Sequence, residues 1–184
     1  MKSVNKGLIG LIAVSVIQLA FPLFFIVAKE QVIETGKEYL FSIQPVDPYN
    51  FFQGRYVSLN VRPVTYSGAD LSNFKRNDIV YAEFEQDSTG VKVTRVSHQK
   101  TEHSLKLKLY SEPGKSLKLR LPFKRFFLEE TKAQSIENLL AQNSKHENFV
   151  HVKILDGDFV MTDISSNGKS LITGKPVRIP FLNH

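Results

Sequence analysis

The chain has 184 residues, a net charge of +6 and no cysteine. That length holds one anchored domain with a core of its own and leaves little room for a second, and the absence of cysteine excludes disulfides, thiolate metal sites, cysteine nucleophiles and lipoprotein acylation. Lys2, Lys6 and Lys29 flank an apolar segment, and beyond Lys29 the balance is 21 basic to 18 acidic residues, too even for the clustered positive surface of a nucleic-acid binder.

Gly7 to Ala28 is a run of 22 residues without a charge, enough helix to cross a bilayer core of about 30 Å. It exceeds the usual apolar core of a cleaved secretory signal, which favours a retained anchor. Gln18 and Pro22 interrupt the run, and both are tolerated where a neighbouring helix or local backbone adjustment satisfies the polar groups, so they mark a face expected to meet another helix. Lys2 and Lys6 precede the span, which keeps the short amino terminus in the cytoplasm and puts the following domain outside the cytoplasmic membrane. The expected organisation is therefore a cytoplasmic segment at 1–6, a transmembrane anchor at 7–28, a polar connector at 29–37 and an extracytoplasmic domain at 38–184.

The domain begins with the alternating strand Tyr39–Ile43. Pro45 and Pro48 end it, Asp47 and Asn50 favour side-chain-supported turns, and Gly54 relaxes the backbone before a strand from Arg55 to Tyr66 that Pro63 interrupts. Ser67 to Asp70 is a turn and Leu71 to Asn77 a polar crossover. Ile79–Glu85 and Val91–Ser97 then read as a hairpin, and Leu105–Leu109 and Leu117–Leu121, strict period-two runs around Glu112-Pro113-Gly114, read as a second hairpin with a basic outer face of Lys106, Lys108, Lys118 and Arg120. From Glu129 to Gln142 the period becomes helical, with Ala133, Ile136, Leu139 and Leu140 on one face and Glu129 and Glu130 complementing the dipole at its start. Phe149–Ile154, Phe159–Ile164 and Leu171–Ile172 close the chain as strands, joined by Asp156-Gly157 and Asn167-Gly168, favoured pairs for tight hairpin turns. The fold class is mainly β with one short amphipathic helix (α+β), an antiparallel sheet or barrel-like domain preceded by one transmembrane helix.

The stretch from Pro45 to Val61 resembles the signature of the bacterial GDYXXLXY family, in which a Pro-x-Asp-Pro turn precedes a Gly-Asp-Tyr-x-x-Leu-x-Tyr strand. Pro45, Asp47 and Pro48 supply the turn, and Gly54, Tyr56 and Leu59 match the strand; Arg55 stands at the acidic position and Val61 at the last tyrosine. Arg125, Phe126 and Phe127 resemble the family's Arg-aromatic-Phe segment ahead of a short helix. The resemblance implies an amino-terminal membrane anchor and no assigned activity, and members are commonly encoded beside polytopic membrane proteins.

No chemistry-bearing motif competes with that reading. His146 and His151 are five residues apart, which on a helix separates them by about 140° and spoils a zinc-protease pair. No Gly-x-Ser-x-Gly elbow or glycine-rich phosphate loop occurs, and no cofactor or metal ligand set is expected. The aromatic groups Tyr49, Phe51, Phe52, Tyr56 and Phe123, Phe126, Phe127 form core or a contact surface, and Asp47 has a charge partner available in Arg55 or Arg125. The expected role is that of an envelope accessory protein binding a membrane protein partner. The alternative is a membrane-tethered hydrolase with a Ser-Lys site, drawing on serines such as Ser42, Ser58 and Ser97, or a carboxylate site.

Overall fold

The computed structural model describes residues 6–44, 56–68, 71–87, 90–110, 114, 116–142 and 147–177. It opens with helix α1 (Lys6–Thr35), whose apolar portion is fully exposed and which is long and apolar enough to cross a membrane. The helix does not stop at Ala28. Residues 29–35, expected as a connector, contain neither Gly nor Pro and continue as helix until Gly36, whose N–H donates to the Val32 carbonyl at 3.0 Å.

The domain follows as strands β1 (Lys37–Gln44), β2 (Tyr56–Ser58), β3 (Asn60–Val61), β4 (Val64–Tyr66), β5 (Ile79–Asp87), β6 (Gly90–Ser97), β7 (Leu105–Lys108), β8 (Leu117–Leu119) and β9 (Arg125–Phe127). Helix α2 (Glu130–Gln142) precedes β10 (Asn148–Leu155), β11 (Asp158–Ser166) and β12 (Lys169–Ser170). Five strands form the main sheet in the order β12-β11-β10-β1-β3, three form a second in the order β6-β5-β7, and β2 with β9 and β4 with β8 make two-stranded ribbons. All these pairings are antiparallel. The sheets do not close into a barrel among the described residues.

Alternation sends Tyr39, Phe41 and Ile43 of β1, Val150, Val152 and Ile154 of β10, and Val80, Ala82 and Phe84 of β5 into one core. Phe41 sits at its centre, with ring centroids 5.4 Å from Phe84 and 4.9 Å from Phe123. Gln86 carries β5 across to the main sheet, its Oε1 accepting from the Leu40 N–H at 3.1 Å in place of a ladder bond.

The hairpin β5–β6 forms as expected, with a register shift between Glu83 and Phe84. The second expected hairpin does not. β7 pairs with β5, and β8 pairs with β4. Each leucine run buries Leu105, Leu107 and Leu109 or Leu117, Leu119 and Leu121 and exposes its basic residues, as period two requires. That pattern fixes a strand's faces and leaves its neighbour open, so both strands found other partners. In α2, Ala133, Ile136 and Leu140 are buried, but Leu139 is 41% exposed and off the packed face. Asp156-Gly157 and Asn167-Gly168 adopt positive φ (51°, 85°, 49° and 73°), as tight hairpin turns require.

Candidate interaction surface

The motif strand and the downstream aromatic segment meet. β2 pairs with β9 in the register Tyr56↔Phe127, Val57↔Phe126 and Ser58↔Arg125, and the Leu59 N–H extends the ladder to the Lys124 carbonyl at 2.9 Å. Val57 (0% exposed) and Phe126 (7%) point into the core, while the outward face carries Tyr56, Phe127 and Arg125. Phe127 is 70% exposed. Its ring meets Tyr56 edge to face at 5.6 Å, and the Arg125 guanidinium lies over Tyr56, 4.7 Å from the ring centroid. A cation over an aromatic face at an exposed site contributes about 0.5–1 kcal/mol. Glu137 of α2 accepts from the Ser58 N–H at 3.2 Å and ties the ribbon to the helix behind it.

Of the residues expected to form a contact surface, Tyr56, Arg125 and Phe127 therefore come together, whereas Phe123, Phe126 and Leu59 are core. Pro45, Asp47, Pro48, Gly54 and Arg55, with Tyr49, Phe51 and Phe52, lie outside the described residues. The motif strand is not beside the anchor. β1 carries the chain away from α1 for eight residues, roughly 26 Å at strand rise, and β3 lies at the sheet edge opposite the β11–β12 side that α1 meets first.

That meeting is a second site, which sequence reasoning missed. Lys29 Nζ donates to both carboxylate oxygens of Asp158 at 2.6 Å, reaches the Phe159 carbonyl at 3.3 Å and lies 5.9 Å from the centre of the Phe159 ring. Val32 is 4% exposed, and Lys153 Nζ donates to the Ile33 carbonyl. A Cβ at Gly36 would stand 2.3 Å from the Val32 carbonyl oxygen and 3.2 Å from Lys153 Cβ, so only glycine allows this approach. The signal was Val32, an apolar residue one helical turn after Lys29.

A third cluster crosses the main sheet. The buried His151 ring faces the Glu38 carboxylate through Nδ1 at 3.3 Å and the Ser165 hydroxyl through Nε2 at 2.9 Å. The hydrogen bond from His151 holds the Glu38 carboxyl below the usual range, against a partial opposing effect of burial. The order acid–His–Ser is that of a nucleophilic triad, but Ser165 is 0% exposed and no acyl group reaches its Oγ. Two further candidates have structural partners: Ser97 Oγ donates to the Gln99 carbonyl at 2.8 Å, and Glu129 pairs with Lys132 at 3.3 Å. Among the described residues no group of three or more His, Asp or Glu side chains is arranged to hold a metal ion.

Comparison with protein families matches the GDYXXLXY protein family over residues 18–164, most of the chain. The chain belongs to the GDYXXLXY family. The match starts at Gln18, inside α1, and ends at Ile164 of β11, so the GDYXXLXY region includes the junction of helix and sheet as well as the β2–β9 ribbon. No curated protein and no solved structure matches the chain.

Proposed function

We propose that this GDYXXLXY protein is a single-pass envelope accessory protein whose domain stands outside the cytoplasmic membrane and binds a membrane protein. The observation that carries the reading is the exposed Arg125–Tyr56–Phe127 cluster, because arginine and large aromatics on a firmly backed surface are the residue types that dominate protein interfaces. Lys2 and Lys6 before the apolar run support the orientation, and the uncharged length of Gly7–Ala28 supports the anchor. A photoreactive phenylalanine analogue at position 127 of the full chain, irradiated in native membranes, is expected to give one dominant adduct with a membrane protein, weakened by Arg125→Ala. A diffuse set of adducts that tracks protein abundance and ignores Arg125→Ala would overturn the reading.

The hydrolase alternative draws on the acid–His–Ser order of Glu38, His151 and Ser165. Burial of Ser165 argues against it. Labelling of Ser165 by a fluorophosphonate probe would revive it.

A further inference from the structure

The proposed partner leaves open which side of the anchor it takes, and the helix geometry bears on that. At about 100° per residue, Lys29 lies 11 residues and about three turns beyond Gln18, offset by roughly 20°, and Gly36 lies 18 residues and about five turns beyond it on the same azimuth. Pro22 falls within the same narrow arc. The helix face that docks on the domain through Lys29, Val32 and Gly36 is thus continuous with the face that bears Gln18 and Pro22.

Two polar groups coincide at that point. The Gln18 side-chain amide meets no hydrogen-bond partner among the described residues, whereas the Ser15 hydroxyl is already committed to the Leu11 carbonyl at 2.9 Å. The fourth residue beyond Gln18 is proline, so the Gln18 backbone carbonyl also lacks its helical donor. With Ala28 at the membrane surface, Gln18 sits about 15 Å deep, near the middle of the hydrocarbon, where an unsatisfied amide and carbonyl are costly.

The domain restricts what satisfies them. From Lys29 to Gly36 the helix rises about 10 Å and passes from Asp158 on β11 to Lys153 and Ile154 on β10, the neighbouring strand. It therefore meets the hairpin end of β10 and β11 with the azimuth it shares with Gln18, so the domain lies on the Gln18 side of the helix. A twofold pair of helices joined through that face would drive two domains into the same space.

Resting on the partner reading above, we infer that the Gln18–Pro22 face receives a transmembrane helix of a different, multispanning protein, one with a hydroxyl or amide side chain at mid-bilayer depth and no bulky domain directly above it. Such a side chain both donates and accepts, as the Gln18 carbonyl and amide together require.

The test uses the full chain in native membranes. Photoreactive residues at Leu11 and Phe25 report the Gln18 face and leave Gln18 intact; the same probe at Val16 and Ala20 reports the opposite face. Expected is an adduct with one multispanning protein from Leu11 and Phe25 only, reduced about fivefold by Gln18→Leu, the equivalent of about 1 kcal/mol. Pro22→Ala, which restores the donor to the Gln18 carbonyl, is expected to reduce it as well, with both variants inserted at normal levels. Adducts from Val16 and Ala20 instead would overturn the face assignment and leave the partner standing. Disulfide-linked dimers of this chain from single cysteines at Leu11 or Phe25 would replace the foreign helix by a second copy and overturn the inference. Silence from all four positions, with the adduct at position 127 retained, would confine the partner to the domain; silence there too would remove the partner itself.

Discussion

His151 is the residue through which three neighbouring strands of the main sheet hold one another, because Glu38 on β1 and Ser165 on β11 reach its ring from either side of β10 on one face of the sheet. The Glu38 carboxyl, held below its ordinary value of 4.5 by that bond, is ionised in the folded protein at a pH where the unfolded chain takes up a proton. It therefore contributes stability above about pH 4.5 that is lost as pH falls through the depressed value. Urea unfolding from neutral to acid pH is expected to give Glu38→Gln a shallower acid arm than the natural chain, and an unchanged slope would show that the bond does not link folding to protonation. Tyr39 acts at the other end of the scale. Burial, with a smaller effect from Glu83, pushes its phenol up to about 12, so the unfolded chain ionises first and stability falls as pH climbs from about 10 to about 12. Tyr39→Phe is expected to flatten that alkaline arm. At the centre of the core, Phe41→Ala removes a ring that touches Tyr39, Phe84 and Phe123. A loss of about 3–5 kcal/mol is expected by denaturant titration.

Among the elements, the step from α1 into β1 depends on one glycine. A methyl group at position 36 would meet the Val32 carbonyl of the helix's own last turn at 2.3 Å and Lys153 Cβ and Ile154 N of β10 at 3.2 and 3.3 Å, so that turn must distort and lift from β10. Gly36→Ala is expected to destabilise the domain by about 1–3 kcal/mol and to expose Val32; faster amide exchange at Val32 and Ile33 would register the lift, and unaltered exchange would refute it. This junction shows where sequence reasoning runs out. Period two, with the short Asp87–Gly90 link between β5 and β6 and the Asp156-Gly157 turn between β10 and β11, made both hairpins legible with their pairings, because short turns fix register locally. The leucine runs of β7 and β8 were equally legible as strands, yet their partners β5 and β4 are distant in sequence and leave no local mark. Tyr56, Arg125 and Phe127 were singled out by resemblance, and the register of β2 with β9 is what brings them together. The charge at Lys29 looked like an anchor flank, since nothing in the chain before it announces Asp158, 129 residues later.

At the scale of the molecule, α1 has two jobs divided near Ala28: an exposed apolar length before that point and a docked pair of turns after it. The ion pair Lys29–Asp158 is half exposed, with side-chain exposures of 45% and 49%, and such pairs contribute about 0–1 kcal/mol. Burial of Val32 contributes more, about 1.5 kcal/mol for a fully buried valine. The docked turns therefore belong to the folded domain in energy as well as position, in keeping with a family match that begins inside the helix. It follows that removing residues 1–28 and removing residues 1–36 are different operations, although both delete the apolar run. The chain from Lys29 keeps Val32, the Asp158 clasp and the Gly36 closure; the chain from Lys37 leaves the hairpin end of β10 and β11 uncovered. The shorter product is expected to unfold at lower urea, by about 1–3 kcal/mol after extrapolation, and to show new protease sensitivity at the Asp156-Gly157 turn. Equal midpoints for the two products would mean that the helix merely rests on the sheet. In that case the placement of the domain on the Gln18 side of the helix, which depends on rigid docking, would no longer exclude a second copy.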